Sequence, residues 1–262
     1  VSIAFDRAAG YYDETRGIPP EVEEQAADRV EAAVGPAGRL LEVGVGTGRV
    51  SLPLHRRGRD LVGVDLSGPM LDRYRAKAAA AGLPPPMVLR ADATRLPFRD
   101  ACVDAVLEVH VLHLVPDWQR ALAEARRVLA PGGVVLIGRG SSHRGKEGPG
   151  GETMRRFDEL ARALGGGPRA VGAGDDSEKI AALVALGGTA EPLEPVVWEQ
   201  QESYGQALAT IERRVFSHTW RLPDEVFETA TRRLRAELEA AHRDLDRLEA
   251  TPHEFTLTAV RF

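Results

Sequence analysis

The segment Leu41-Glu42-Val43-Gly44-Val45-Gly46-Thr47-Gly48-Arg49 decides how this chain is read. Leu40 to Val43 is a short apolar run ending in glycines, the pattern of a buried strand. A helical stretch follows and reaches Gly58. Glycines let the backbone turn tightly and let a ligand approach with no Cβ in the way. The N-terminus of the next helix offers unpaired N–H groups. Asp65 then closes a second apolar run, Leu61 to Val64. A carboxylate there can accept from two ribose hydroxyls, a nucleoside-binding arrangement. The dinucleotide fingerprint needs a small residue at its sixth position. Counted from Gly44, that position is Arg49, which breaks the pattern. The acid Glu42 beside the loop disfavours a pyrophosphate and suits a ligand carrying positive charge.

Outward from this segment, strand and helix patterns alternate. Pro19-Pro20 opens a helix with Val22, Ala26, Val30 and Val34 on one stripe, stopped by Gly35-Pro36. Ser67 is an N-cap with Pro69 in the first turn; Met70, Leu71, Tyr74 and Ala78 line that helix, and Gly82 ends it. Met87 to Ala91 is a third strand and Val103 to Val109 a fourth. A helix from Asp117 to Leu129, a turn at Pro131-Gly132-Gly133 and a strand from Val134 to Ile137 complete the series. Such alternation predicts an α/β fold: a doubly wound, Rossmann-like, seven-stranded, mostly parallel sheet with helices on both faces.

Beyond Gly138 the rhythm breaks. Eleven of the 27 glycines fall between Gly138 and Gly174. One amphipathic helix there carries Met154, Phe157, Leu160, Ala161 and Leu164, and the region reads as a partly helical lid or a surface elaboration. Further helices are expected over Ser177 to Leu186, Tyr204 to Phe216 and Asp224 to Glu249, and strands over Pro195 to Glu202 and Glu254 to Phe262. The long helix pairs Glu228 with Arg232 and Glu239 with Arg243 at i, i+4. The expected organisation is a single domain, 1–262, with a binding core at 36–140, a closing C-terminal strand, and lid elements at 1–30, 141–176 and 203–250.

Composition narrows the function. At 43% apolar and 28% charged the 262 residues suit an ordinary globular core, not a disordered or collagen-like chain. No apolar run is long enough to span a membrane, and Val1 to Gly10 does not read as a signal peptide. Cys102 is the single cysteine, so no CxxC metal site and no internal disulfide are expected, and a cytoplasmic location fits. The net charge of −5 argues against a nucleic-acid partner, which demands a basic surface. A monomer or homodimer is expected.

A second constellation, Arg90-Ala91-Asp92-Ala93-Thr94, follows the third strand. Asp92 there can accept from an exocyclic amine such as adenine N6, or cap its own backbone. In order, LEVGVGTGR (41–49), VGVDLSGPML (62–71), ADATRLPF (91–98), VLEVHVLHLVPD (106–117) and RVLAPGGVVLI (127–137) resemble the class I S-adenosylmethionine (SAM) dependent methyltransferases. Within them the chain is most similar to the small-molecule enzymes that include the ubiquinone/menaquinone-biosynthesis C-methyltransferases. The resemblance covers about Tyr11 to Ile137. It implies SAM as cofactor and a small-molecule methyl acceptor. It implies Gly44, Gly46 and Gly48 along the methionine part, Asp65 on the ribose, and Leu66 and Met70 near the adenine. Asp92 would bind adenine N6 with the Ala93 backbone on the ring edge. Glu108 and Val109 would border the methyl donor. Tyr12 and Arg16 would cover the cofactor, Arg16 pairing its carboxylate.

Methyl transfer from a sulfonium is an in-line displacement, in which alignment can contribute roughly 7–11 kcal/mol. A base is needed only where the nucleophile must lose a proton. The candidates are His110, His113 and His143, with Glu108 as an outsider. His113 also suits packing or a local hydrogen bond, and His110 suits a substrate pocket. No Asn/Asp-Pro-Pro-aromatic turn follows the fourth strand and no Pro-Cys occurs, which disfavours amino-group methylation of DNA or protein and cytosine C5 chemistry. Trp198, Trp220, Phe157 and Phe216 suit either an apolar pocket or the core. Two other readings stay open: a SAM-binding protein that methylates a macromolecule or binds without catalysis, and a nicotinamide-dependent oxidoreductase.

Overall fold

The fold is that of a computed structural model describing residues 2–36, 38–141, 148–167 and 171–262. Its elements are α1 (Tyr12–Arg16), α2 (Pro20–Val34), β1 (Leu40–Val43), α3 (Ser51–Arg56), β2 (Leu61–Asp65), α4 (Gly68–Ala80), β3 (Met87–Arg90) and β4 (Val103–Val109). Then come α5 (Trp118–Val128), β5 (Leu129–Ser141), α6 (Gly148–Ala163), α7 (Asp176–Ala185), β6 (Thr189–Pro192), β7 (Val196–Glu202), α8 (Tyr204–Glu212), α9 (Asp224–Ala241) and β8 (Glu249–Arg261).

A path of seven strands runs β3-β2-β1-β4-β5-β8-β6, and β7 pairs with β8 as an eighth. The pairs β1–β2, β1–β4, β2–β3 and β4–β5 are parallel; β6–β8 is antiparallel. The expected mostly parallel α/β sheet is present. Two strands go beyond the sequence reading. β6 was not expected; its residues are all exposed and it ends in Pro192, which an edge strand tolerates. β5 begins at Leu129, the last residue of the expected helix, and runs through the expected turn. Val103 pairs with Leu129 and Ala105 with Val134, so Pro131-Gly132-Gly133 forms an irregularity within the strand, with Gly132 at φ 77°.

The chain divides into two compact units, Val1–Gly140 with Val171–Val196 and Phe255–Phe262, and Ser141–Ala170 with Val197–Glu254. In the first, Leu41, Val43, Val106, Val135 and Ile137 pack with Leu122, Ala125 and Val128 of α5. Cys102 sits partly buried against that cluster. Around α4, Tyr74, Leu71 and Ala78 pack with Val45 and Leu52. In the second, Met154, Phe157, Leu160 and Ala161 of α6 meet Leu208 and Ile211 of α8 and Phe227, Leu234 and Leu238 of α9.

The last helix is shorter than its apolar stripe predicts. It stops at Ala241, and His242 is extended at φ −121°, ψ 132°. Non-local contacts end it: the His242 ring stacks on Tyr204 with centroids 3.9 Å apart, and the Leu245 carbonyl accepts from Gly205 N–H at 2.7 Å. Asp244 accepts from the Asp246 N–H at 2.9 Å, a local bond that competes with helix. Arg243 therefore lies outside the helix, and Glu239 pairs with Arg235 instead, at 3.5 Å. Leu248 is exposed.

Candidate functional site

Parallel strands deliver their carboxyl ends to one edge of a sheet, and ligands of doubly wound folds collect where the strand order reverses. Here that point lies between β1 and β4. The predicted positions Glu42 to Gly48, Asp65 and Leu66, Asp92 and Ala93, and Glu108 and Val109 occupy the ends of β1, β2, β3 and β4. Four adjacent strands thus bring the sequence-selected residues of the first unit to one edge.

The loop after β1 turns on Gly44, Gly46 and Gly48, at φ 76°, 55° and 77°. The Gly44 and Val45 N–H groups donate to the Val64 carbonyl at 2.8 and 3.0 Å. A Cβ on Gly48 would lie 2.4 Å from the Tyr74 ring, and one on Gly44 would lie 2.5 Å from Val111. Protein side chains therefore fill the space that two of these glycines open. Met70, buried at 2% exposure, brings its Cε over Gly46.

Asp65 accepts from the Gly46 N–H through Oδ2 at 2.9 Å and from the Ser67 N–H through Oδ1 at 2.8 Å. A carboxylate has about four lone-pair sites, so with the Leu66 N–H also acting on it at least one remains. Burial raises its pKa, against the backbone donors that lower it. Asp92 caps its own turn: Oδ1 accepts from the Thr94 N–H and hydroxyl, both at 2.9 Å. That realises the local-capping reading on one oxygen and leaves Oδ2 for a ligand. Leu66 offers its carbonyl to Arg90 at 2.9 Å, and Ala93 packs partly buried on the core.

Glu42 and Glu108 point to opposite faces. Glu42 is in register with Leu107, and Glu108 with Val43, and successive strand residues alternate. Glu42 takes the Ser51 hydroxyl. Burial pushes its pKa up to about 8, opposed by Ser51 and Arg49. Glu108 is 3% exposed, and neither carboxylate oxygen has a hydrogen-bond partner among the described residues. Burial lifts it to about 7, opposed by the Lys179 ammonium. Val109 is buried beside Gly138.

His110 follows β4 in the left-handed region, at φ 54°, which is uncommon for a side chain of its size. Its Nε2 meets the Gly140 carbonyl. A carbonyl only accepts, so Nε2 carries the proton and Nδ1 keeps the lone pair. Burial first, then the Arg49 charge, holds its pKa well below the ordinary value. The His113 ring lies edge-on to it at 6.4 Å, and the His113 carbonyl accepts from Val171 and Gly172 N–H groups. His143 lies outside the described residues.

The N-terminal segment reaches the loop through a residue that sequence reasoning did not select. Asp13 accepts from the Thr47 hydroxyl at 2.6 Å and pairs with Lys77 at 3.1 Å. Arg16 takes part through its carbonyl, which accepts from Arg49 at 2.9 Å; the Tyr12 ring meets Phe5 edge-on at 6.0 Å. Nothing local marked Asp13, because its partner is 34 residues away. Among the described residues no group of three or more His, Cys, Asp or Glu side chains could hold a metal ion, and no helix is long and apolar enough to cross a membrane.

A family model described as "Methyltransferase domain" matches residues 41–137. A phosphatidylethanolamine N-methyltransferase of Cereibacter sphaeroides is 40% identical over 139 residues, 52% of this chain and 66% of that protein. A demethylmenaquinone methyltransferase of Thermus thermophilus is 43% identical over 101 residues, 38% of this chain and 46% of that protein. The chain spans between 50% and 66% of the length of the first curated relatives it matches. Among solved structures, the YcgJ protein of Bacillus subtilis superposes with a TM-score of 0.56 at 19% identity, over 90% of this chain and 97% of that one. A phosphoethanolamine N-methyltransferase of Haemonchus contortus superposes with a TM-score of 0.54 at 17% identity, over 98% of this chain and 57% of that one. At such identities the structures establish the shared fold.

Proposed function

The chain belongs to the class I SAM-dependent methyltransferases, and from that premise we propose that it transfers the methyl group of SAM to a small-molecule acceptor. The observation that carries the site is the Asp65 carboxylate, half-buried at the end of β2 and bonded to the Gly46 N–H, with acceptor capacity left beyond its backbone donors. It ties the glycine loop and the nucleoside anchor into one rigid element. When bound, SAM supplies an activated methyl on a sulfonium.

The residues then divide the work. Asp65 accepts from the ribose hydroxyls. Leu66 and Met70 pack on the adenine, Asp92 Oδ2 accepts from its amine, and the Ala93 backbone meets the ring edge. Gly44, Gly46 and Gly48 line the methionine portion, and Glu42 lies beneath them, bonded to the Ser51 hydroxyl. Glu108 and Val109 border the donor. Tyr12 and Arg16 belong to the N-terminal cover that Asp13 anchors. Methyl transfer proceeds by in-line displacement, for which the protein chiefly aligns the partners and excludes water. His110 Nδ1 keeps a lone pair, but the burial and Arg49 charge that hold its pKa well below the ordinary value make it a weak proton acceptor, and His113 is engaged locally. The relatives' names include an N-, a menaquinone- and an O-methyltransferase, so kinship leaves the accepting atom open.

Calorimetric titration with SAM, S-adenosylhomocysteine (SAH) and NADH tests this reading. Micromolar binding of the first two and no signal from NADH is expected. Binding of NADH alone would move the chain to the oxidoreductases.

A further inference from the structure

Glu108 is the most conspicuous unsettled group in the first unit. It lies at the carboxyl end of β4, beside Val43 across the switch point, and is 3% exposed. Both oxygens are buried and neither accepts a hydrogen bond among the described residues. Buried carboxylates are normally saturated with donors, and an orphan one is costly unless a bound ion, water or ligand completes it. The charged groups around it do not supply that partner. Lys179 on α7 acts on it electrostatically, but its ammonium is bonded to Asp176 at 2.5 Å.

We propose that Glu108 is the subsite for the ammonium group of the methyl acceptor, which makes the acceptor an amine. This rests on the methyltransferase reading above. A neutral hydroxyl would donate one bond and leave the carboxylate charge uncompensated. A protonated amine supplies the opposite charge and up to three donors. Of the other acids assigned to SAM, Asp65 ends β2, Asp92 follows β3 and Glu42 points to the other face of the sheet, which leaves Glu108, at the border of the donor, to meet the acceptor. Glu108 also solves the amine's chemical difficulty, since an ammonium nitrogen has no lone pair. One N–H bond breaks, its electron pair stays on nitrogen, and the proton passes to a Glu108 oxygen and on to solvent. A carboxyl that titrates near neutrality suits that exchange.

The test titrates methylammonium chloride, against sodium chloride at equal ionic strength, into SAH-saturated protein. Millimolar binding is expected in the parent, at least tenfold weaker in Glu108→Gln and undiminished in Lys179→Met. Glu108→Gln should also raise the thermal stability of the ligand-free protein at pH 8, whereas a structural Glu108–Lys179 pair would lower it in both variants. Absence of methylammonium binding, or binding that survives Glu108→Gln, overturns the proposal. So does a Glu108→Gln protein that loses affinity for SAM but not for SAH, because the group would then read the sulfonium. If the parent binds neither SAM nor SAH, it is the methyltransferase reading that fails.

Discussion

Asp65 shows how one residue can serve two ends. Its contacts to Gly46 and Ser67 hold the loop, and the proposed function gives its remaining acceptor capacity to the ribose of SAM. Losing charge-assisted bonds of this kind costs roughly 1.5–3 kcal/mol. Asp65→Ala should therefore bind SAH about 10- to 150-fold more weakly by calorimetry; unchanged affinity would remove the ribose assignment. Glu42 gives a prediction in pH. Its folded pKa, about 8, lies above the unfolded carboxyl value. A raised pKa contributes stability below the unfolded value and loses it as pH rises through the folded one. Urea denaturation of the ligand-free protein should thus show stability falling between pH 5 and pH 9, by an amount on the order of a few kcal/mol. Glu42→Gln should flatten that fall, and an equal slope in the variant would place the titration elsewhere. At this scale Asp65 was legible because a carboxylate closing a strand after a glycine loop is a local pattern. Asp13 and the unpartnered state of Glu108 were not, because both depend on residues far apart in sequence.

Elements carry the next level. β1, β2, α4 and β4 were readable because apolar runs and the Ser67 cap act over a few residues; the Ser67 hydroxyl accepts from the Met70 N–H as the cap requires. The end of α9 was not readable, since a stack on Tyr204 and a bond from Gly205 stop it while its apolar stripe continues. The loop between β1 and α3 shows why glycine spacing alone does not prove a ligand. Gly48 is required by Tyr74, a fully buried ring of α4. Overpacking costs typically ~1–3 kcal/mol, and a non-glycine residue forced to positive φ adds about 1 kcal/mol. Gly48→Ala should destabilise the protein by roughly 2–4 kcal/mol in denaturant, and a Tyr74→Leu background should recover part of it. A loss that Tyr74→Leu does not relieve would point to backbone strain alone.

For the whole molecule, the sheet order converts scattered motifs into one edge. Glu42, Asp65, Asp92 and Glu108 lie at or just beyond the ends of four strands spread over 67 residues, and parallel pairing with the order β3-β2-β1-β4 aligns those ends. The second unit, built on α6, α8 and α9, is a separate helical core whose helices the sequence located but whose grouping it did not reveal. The proposed SAM site is this edge of the first unit. A crystal structure of the chain grown with SAH tests that directly. It should place the ribose hydroxyls on Asp65, the adenine amine on Asp92 and the homocysteine along Gly44 to Gly48. SAH bound away from Asp65, or a loop closed over by Val111 with no ligand at saturating SAH, would contradict it.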